Sequence, residues 1–200
     1  MAQPPETQAL QPLYVRITHW INAVAMLIML GSGWEIYNAS PLFAFTFPKG
    51  LTLGGWLAGG LLWHFATMWL LLANGLVYGT IGLLTGRLRH RFLPIWPREV
   101  VQDLAAAVTG RLRRDDLGRY NSVQRLLYAG ILITGVVVVA SGFALWKPVQ
   151  LRELCSLFGG YEGARIVHFY AMATIVMFLA LHLLMTVLVP RRLRAMISGR

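Results

Sequence analysis

Four long apolar runs constrain this chain more than any other feature. A helix crossing the hydrocarbon core of a bilayer needs about 20 apolar residues. Four stretches reach that length, at about 12–37, 51–85, 124–146 and 163–189. They predict an all-α integral membrane protein, a four-helix bundle built as one domain over residues 1–200. Pro12 suits a first-turn position. Gly86 and Arg87 stop the second run, Lys147 and Pro148 the third, and Pro190 and Arg191 the fourth. At ~1.5 Å per residue the second run outlasts the hydrocarbon core, so it is expected to tilt or protrude. Composition agrees, with 56% apolar and 13% charged residues, where a soluble domain carries about a quarter charged.

The net charge of +10 would suggest nucleic acid in a soluble protein. Here the arginines gather at the ends of apolar runs, so anionic headgroups and membrane orientation account for them. With no soluble basic domain to carry it, nucleic-acid binding is excluded. Arg87, Arg89, Arg91, Arg98, Arg111, Arg113, Arg114 and Arg119 lie between the second and third helices, and Arg191, Arg192, Arg194 and Arg200 follow the fourth. The opposite face offers only Lys49, Lys147, Arg152 and Arg165. The positive-inside rule therefore puts both termini in the cytoplasm. After Pro97, the residues Val101, Leu104, Val108 and Leu112 recur at helical spacing, flanked by Arg98, Arg111 and Arg114. That pattern predicts a short amphipathic helix on the cytoplasmic surface, with a solvated basic loop as the alternative. Cys155 is the single cysteine, which excludes an internal disulfide, an all-protein iron–sulfur site and a CxxCH haem attachment. Met1 to Pro12 has no basic n-region, so the first helix is expected to act as its own insertion signal.

Four of the five histidines, His19, His64, His168 and His182, fall in the apolar runs. Ionisable groups at membrane depth are costly and default to functional hypotheses. A lone one is most simply a neutral imidazole bonded to a neighbouring helix; four need a common account. His168 and His182 are fourteen residues apart, close to four helical turns, and so share a face ~21 Å apart. Depth from the cytoplasmic end follows from the same rise. His182, eight residues before Pro190, lies ~12 Å in, and His19, seven after Pro12, ~5–10 Å in. His168 and His64 lie 22 residues before Pro190 and Gly86 respectively, both ~33 Å in. Two pairs result: His19 with His182 at the inner depth, and His64 with His168 at the outer. Imidazoles facing each other between helices are what bis-histidine haem requires.

A macrocycle approaches a helix only where side chains are small. Gly31, Ser32 and Gly33 on the first helix, Gly75 and Gly79 on the second, and Gly130, Gly135, Ser141 and Gly142 on the third supply such places. Ordinary small-residue helix packing is the equal alternative. Arg16 and Arg165 each precede a proposed ligand by three residues, on the same helix face. They are candidates for haem propionates, with interfacial anchoring as the plainer alternative. His90, within RLRHRF, is expected to be solvated or to face the lipid headgroups.

The segments YVRITHWINA, NSVQRLLYAGILITG and HFYAMATIVMFLALH resemble the bacterial cytochrome b561 family. That superfamily includes the b-type subunits of nickel–iron hydrogenase, formate dehydrogenase and thiosulfate reductase. The similarity runs from Tyr14 to Val189. It implies two haem b groups, ligated by His19 with His182 and by His64 with His168. It also implies electron transfer between the quinone pool and a partner redox subunit in the bacterial inner membrane. The short chain and arginine-rich inner loop look most like subunits that accompany a periplasmic molybdopterin oxidoreductase. The long extra segments of the hydrogenase and formate dehydrogenase anchors are lacking, which argues against a large iron–sulfur partner. Tyr120, Asn121 and Gln124, at the cytoplasmic mouth of the third helix, are candidates for a quinone or quinol headgroup, with helix capping by Asn121 as the alternative. Expected partners are membrane lipid, quinone and the redox subunit, and the reading allows a homodimer. Two other functions stay in view: a stand-alone superoxide:quinone oxidoreductase of the same family, and a haem-free histidine-dependent transporter.

Overall fold

The computed structural model describes residues 11–92, 94–109, 122–188 and 190–199. Among them the elements run α1 (Leu13–Ala39), a 3-10 turn (Lys49–Leu51), α2 (Leu57–Leu84), α3 (Arg87–Phe92), α4 (Pro97–Val108), α5 (Ser122–Trp146), α6 (Arg152–Leu157), α7 (Gly160–Leu188) and α8 (Pro190–Ser198). The protein is all-α, and α1, α2, α5 and α7, at 27, 28, 25 and 29 residues, are each long and apolar enough to cross a membrane. At ~1.5 Å per residue all four exceed a hydrocarbon core of about 30 Å.

The helix ends follow backbone chemistry more than hydropathy. The second span starts at Leu57 rather than near residue 51, because Gly54 and Gly55 hold φ values of +120° and +75°. No helix passes through that left-handed geometry. Gly86, at φ +67°, closes α2 by donating its N–H to the Leu83 carbonyl at 3.0 Å, the usual glycine stop. Pro190, expected as a terminator, instead opens α8, where its missing N–H costs nothing. The amphipathic helix predicted from Pro97 is present as α4; Leu112, its last expected apolar residue, lies outside the described residues.

Burial is inverted relative to a soluble protein. The buried apolar residues are mainly small (Ala25, Ala144, Ala164 and Ala171), whereas Leu62, Leu83, Ile133, Val136, Met177 and Val187 are exposed. Lipid solvates those large side chains, and small residues let helix backbones approach.

The chain divides into two compact units, residues 1–81 with 196–200, and residues 82–195. In the first, α1 and α2 run antiparallel: Asn74 Nδ2 donates to the Thr18 carbonyl at 2.8 Å, and Ser32 meets His64. An aromatic cluster follows α1. Trp34 stacks on Phe47 with centroids 4.7 Å apart, while the Asn38 amide bonds both the N–H and the carbonyl of Phe47 at 2.8 Å. In the second unit α5 packs along α7, with α3 and α4 against α5 and α6 against both. Ser122, the first residue of α5, is held by two acids of α4. Its N–H donates to Asp103 Oδ2 at 2.6 Å and its hydroxyl to Glu99 Oε2 at 2.8 Å. Carboxylates at a helix N-terminus satisfy its orphan donors and complement its dipole.

Candidate functional site

Each unit holds two of the four membrane histidines. His19 on α1 and His64 on α2 belong to the first, and His168 and His182, both on α7, to the second. Each predicted pair therefore takes one ligand from each unit.

Within the first unit the packing register of α1 and α2 sets the separation of His19 from His64. Ser32 faces His64 and Asn74 faces Thr18. From Thr18 to Ser32 along α1 is ~21 Å, and from His64 to Asn74 along α2 is ~15 Å. The two counts bracket the vertical distance between the histidines. Within the second unit the fourteen-residue step on α7 gives ~21 Å. The first unit thus spaces its histidines by ~15–20 Å, against ~21 Å in the second.

His64 and His168 share a local environment in detail. His64 Nδ1 lies 3.0 Å from Ser32 Oγ on α1. His168 Nδ1 lies 3.1 Å from Ser141 Oγ on α5. Both serines are fully buried, at 0% exposure. A glycine follows each. A Cβ on Gly33 would sit 3.4 Å from His64 Cε1, and one on Gly142 would sit 3.2 Å from His168 Cε1. The inner histidines have aromatic neighbours. The His19 ring is edge-on to Trp20 at 5.5 Å, and His182 is stacked against Phe178 at 5.9 Å, with Tyr128 edge-on to Phe178.

The remaining glycines separate into two groups. At Gly75, Gly79, Gly130 and Gly135 an added Cβ would meet no described atom within 4 Å. Among the described residues those positions make no close helix contacts, which leaves open strips on α2 and α5. Gly60, by contrast, packs against Glu35 and the Ser32 carbonyl.

The two arginines are engaged elsewhere. Arg16 donates through Nε to the Met196 carbonyl at 3.3 Å and through Nη2 to the Ile197 carbonyl, and Trp20 Nε1 donates to Met196 at 3.2 Å. Together they cap the C-terminal end of α8, where cations are favoured. Arg165 forms an ion pair with Glu162 at 3.0 Å. Gln124 lies half-buried in the first turn of α5, whereas Tyr120 and Asn121 lie outside the described residues. His90 is exposed on α3, as expected.

The residues fit an axially ligated porphyrin. Metal-bound histidines characteristically bond their second ring nitrogen to a neighbouring group, which fixes tautomer and orientation; His64 and His168 have that partner. Glycine beside each ring and open glycine strips along α2 and α5 supply room. Among the described residues no three His, Cys, Asp or Glu side chains gather as a metal cluster. Sequence reasoning counted Ser32 and Ser141 only as small residues. The signal available was the Ser–Gly step common to Ser32–Gly33 and Ser141–Gly142.

Comparison with known proteins adds two matches. The family model described as prokaryotic cytochrome b561 matches residues 10–199. The chain is 50% identical over 194 residues, 97% of its length and 98% of the relative's, to the "Putative protein-methionine-sulfoxide reductase subunit YedZ1" of Azospira oryzae. No solved structure matches.

Proposed function

This chain belongs to the prokaryotic cytochrome b561 family, and from that premise we propose that it binds two haem b groups and passes electrons from quinol to a partner reductase subunit. As a family member with four membrane-crossing helices it is a multi-pass b-type cytochrome of electron transport in the bacterial inner membrane.

One observation carries the two-haem reading: each unit holds two histidines at similar axial spacing. His19 with His182 would hold the iron of one haem, and His64 with His168 that of the other. Bound haem b supplies a one-electron carrier whose potential depends on axial ligation, burial and neighbouring hydrogen bonds. The polypeptide holds the imidazoles at fixed depth on rigid helices, excludes water with the exposed aliphatic surface that faces lipid, and leaves the glycine strips of α2 and α5 open. Arg16 and Arg165 are proposed as propionate partners only alongside their present contacts. A guanidinium has five N–H donors, and Arg16 commits two of them to α8.

The relative's name supports the partner and the direction. It is a reductase subunit by name, so electrons would leave this chain toward an oxidoreductase that reduces its substrate. A quinol releases two electrons and two protons; reduction of a sulfoxide to a thioether and water consumes two of each. Arginine distribution supports cytoplasmic termini, which would place the Tyr120–Gln124 mouth inside and the Ser32 and Ser141 depth near the periplasmic side. We assign quinol to the former and the partner, a periplasmic molybdopterin oxidoreductase by resemblance, to the latter. The superoxide alternative needs a cationic outer entrance, and pairing of Arg165 with Glu162 weakens one.

The test is a reduced-minus-oxidised spectrum of the purified chain with a haem count. Two haem b per chain are expected. Substituting either His64 or His168 should remove one, and substituting either His19 or His182 the other. Colourless protein, or a single haem insensitive to His182, refutes the reading.

A further inference from the structure

We infer that Ser32 and Ser141 are matched positioning residues that set the tautomer of His64 and His168, so that each ring presents Nε2 to iron, and that both act on one and the same haem. This rests on the two-haem reading above and deepens it.

The proton positions follow from the hydrogen bonds. Ser32 Oγ lies 2.6 Å from the Ile28 carbonyl, and Ser141 Oγ lies 2.7 Å from the Val137 carbonyl. A carbonyl oxygen cannot donate, and at these distances each hydroxyl is placed to give its single proton to the carbonyl four residues back. Each serine oxygen then serves as an acceptor toward the imidazole. With that assignment the contacts of 3.0 Å and 3.1 Å to Nδ1 put the ring proton on Nδ1. A neutral imidazole protonated at Nδ1 has its lone pair on Nε2, the nitrogen farthest from the backbone and the one best able to reach a metal.

The arrangement occurs twice on unrelated helix pairs. In each case a buried serine on one membrane helix holds Nδ1 of a histidine on its antiparallel neighbour, and the following glycine lies against Cε1 of the same ring. Ring rotation is restricted at both places: the hydroxyl fixes one nitrogen, and the missing side chain gives the edge space to sit. An Nδ1–H donating to an acceptor makes the imidazole a stronger electron donor through Nε2. A stronger donor favours ferric over ferrous iron. Both serines accordingly hold down the potential of the haem they serve. If His64 and His168 share that haem, the two effects fall on one redox centre.

Ser32→Ala and Ser141→Ala each remove one oxygen atom and keep the side-chain volume close to the original. The measurement is a potentiometric titration of the purified full-length chain, followed in the α-band, with electron paramagnetic resonance of the ferric low-spin signals and a haem count. Expected is an upward shift of the same one of two redox components in both variants. The double variant should show close to the sum of the single shifts, the second component should stay in place, and only one low-spin signal should change. Ser→Thr, which keeps the hydroxyl, should move back toward the wild-type potential. If a serine variant sheds haem instead, loss of the haem that His64→Ala also removes supports the inference. Loss of the other haem, or of both, overturns it. Unchanged potentials and signals in either alanine variant, or shifts on different components, also overturn it. A wild-type chain without two haems would refute the underlying reading instead, an outcome the haem count separates.

Discussion

Adding one methyl group at Gly142 tests the site at its tightest point. The new Cβ would lie 3.2 Å from His168 Cε1, whereas carbon atoms rest at about 3.5–4.0 Å. The ring must retreat by about 0.3 Å or more. Taken up on the Nδ1 side, that movement lengthens a hydrogen bond already at 3.1 Å beyond the range of good N–H···O geometry. Overpacking of this kind costs about 1–3 kcal/mol, or roughly 5- to 150-fold in haem retention, with alanine at the low end and Gly142→Val at the high end. Gly33→Ala places its methyl 3.4 Å from His64 Cε1, close to ordinary contact, and should cost less than about 0.5 kcal/mol. Gly50→Ala, outside both glycine strips, meets nothing within 4 Å and serves as the control. Transfer of haem to excess apomyoglobin, followed in the Soret band, measures retention. The expected order of release is Gly142→Val, then Gly142→Ala, then Gly33→Ala, with Gly50→Ala like wild type. Retention of both haems by Gly142→Val at the wild-type rate would refute the reasoning, as would a Gly33→Ala that releases faster than Gly142→Ala.

Asp103→Ala removes the acceptor of the Ser122 N–H and should destabilise the start of α5 by about 1 kcal/mol, a fall of roughly 2–4 °C in Tm; an unchanged melting curve counts against this cap. Arg16→Ala takes two donors from the C-terminal carbonyls of α8, bonds to a charged group that contribute about 1.5–3 kcal/mol each, so limited proteolysis should cut the tail sooner. An unaltered cleavage rate would show that α8 is held by other means. Gly54→Ala forces a Cβ onto φ +120° against the backbone of Gly59 and Gly60 and should cost about 1–3 kcal/mol. Gly50→Ala, where nothing lies within 4 Å, should melt with wild type; equal behaviour of the two variants would remove the argument about the start of α2.

The spans were legible because lipid leaves little choice: twenty apolar residues in a row must be helical, and all four runs are. Their ends were legible only to within several residues. Hydropathy stays high from Leu51 onward, yet Gly54 and Gly55 postpone the helix to Leu57, a backbone effect that no hydropathy window registers. The short helices α3, α6 and α8 have six to nine residues and carry no apolar run to announce them. The histidine spacing on α7 could be read directly, since a rise per residue is all it needs. The role of Ser32 and Ser141 could not, because it depends on which helix lies opposite and in what register. Arg165 shows a weaker failure. Glu162 stands three residues before it, a spacing that favours pairing on a helix, and the ion pair follows from sequence once that neighbour is weighed. The partners of Arg16 are 180 and 181 residues away and lay beyond any local pattern.

The two serine–histidine contacts reach the same geometry by different routes. His64 follows its serine by 32 residues, across the aromatic turn after α1, and His168 follows its serine by 27, across α6. Connection length and loop sequence differ, while the serine, the glycine and the protonated ring nitrogen coincide. A transporter passing protons along histidines would gain nothing from locking the proton of each ring onto a helix carbonyl relay, since a relay needs both ring nitrogens to exchange. A bound iron porphyrin would gain directly: imidazoles that neither rotate nor change tautomer would keep reorganisation small, which fast electron exchange requires. The recurrence of one immobilising device on two helix pairs is therefore better explained by a redox centre than by a conduction path.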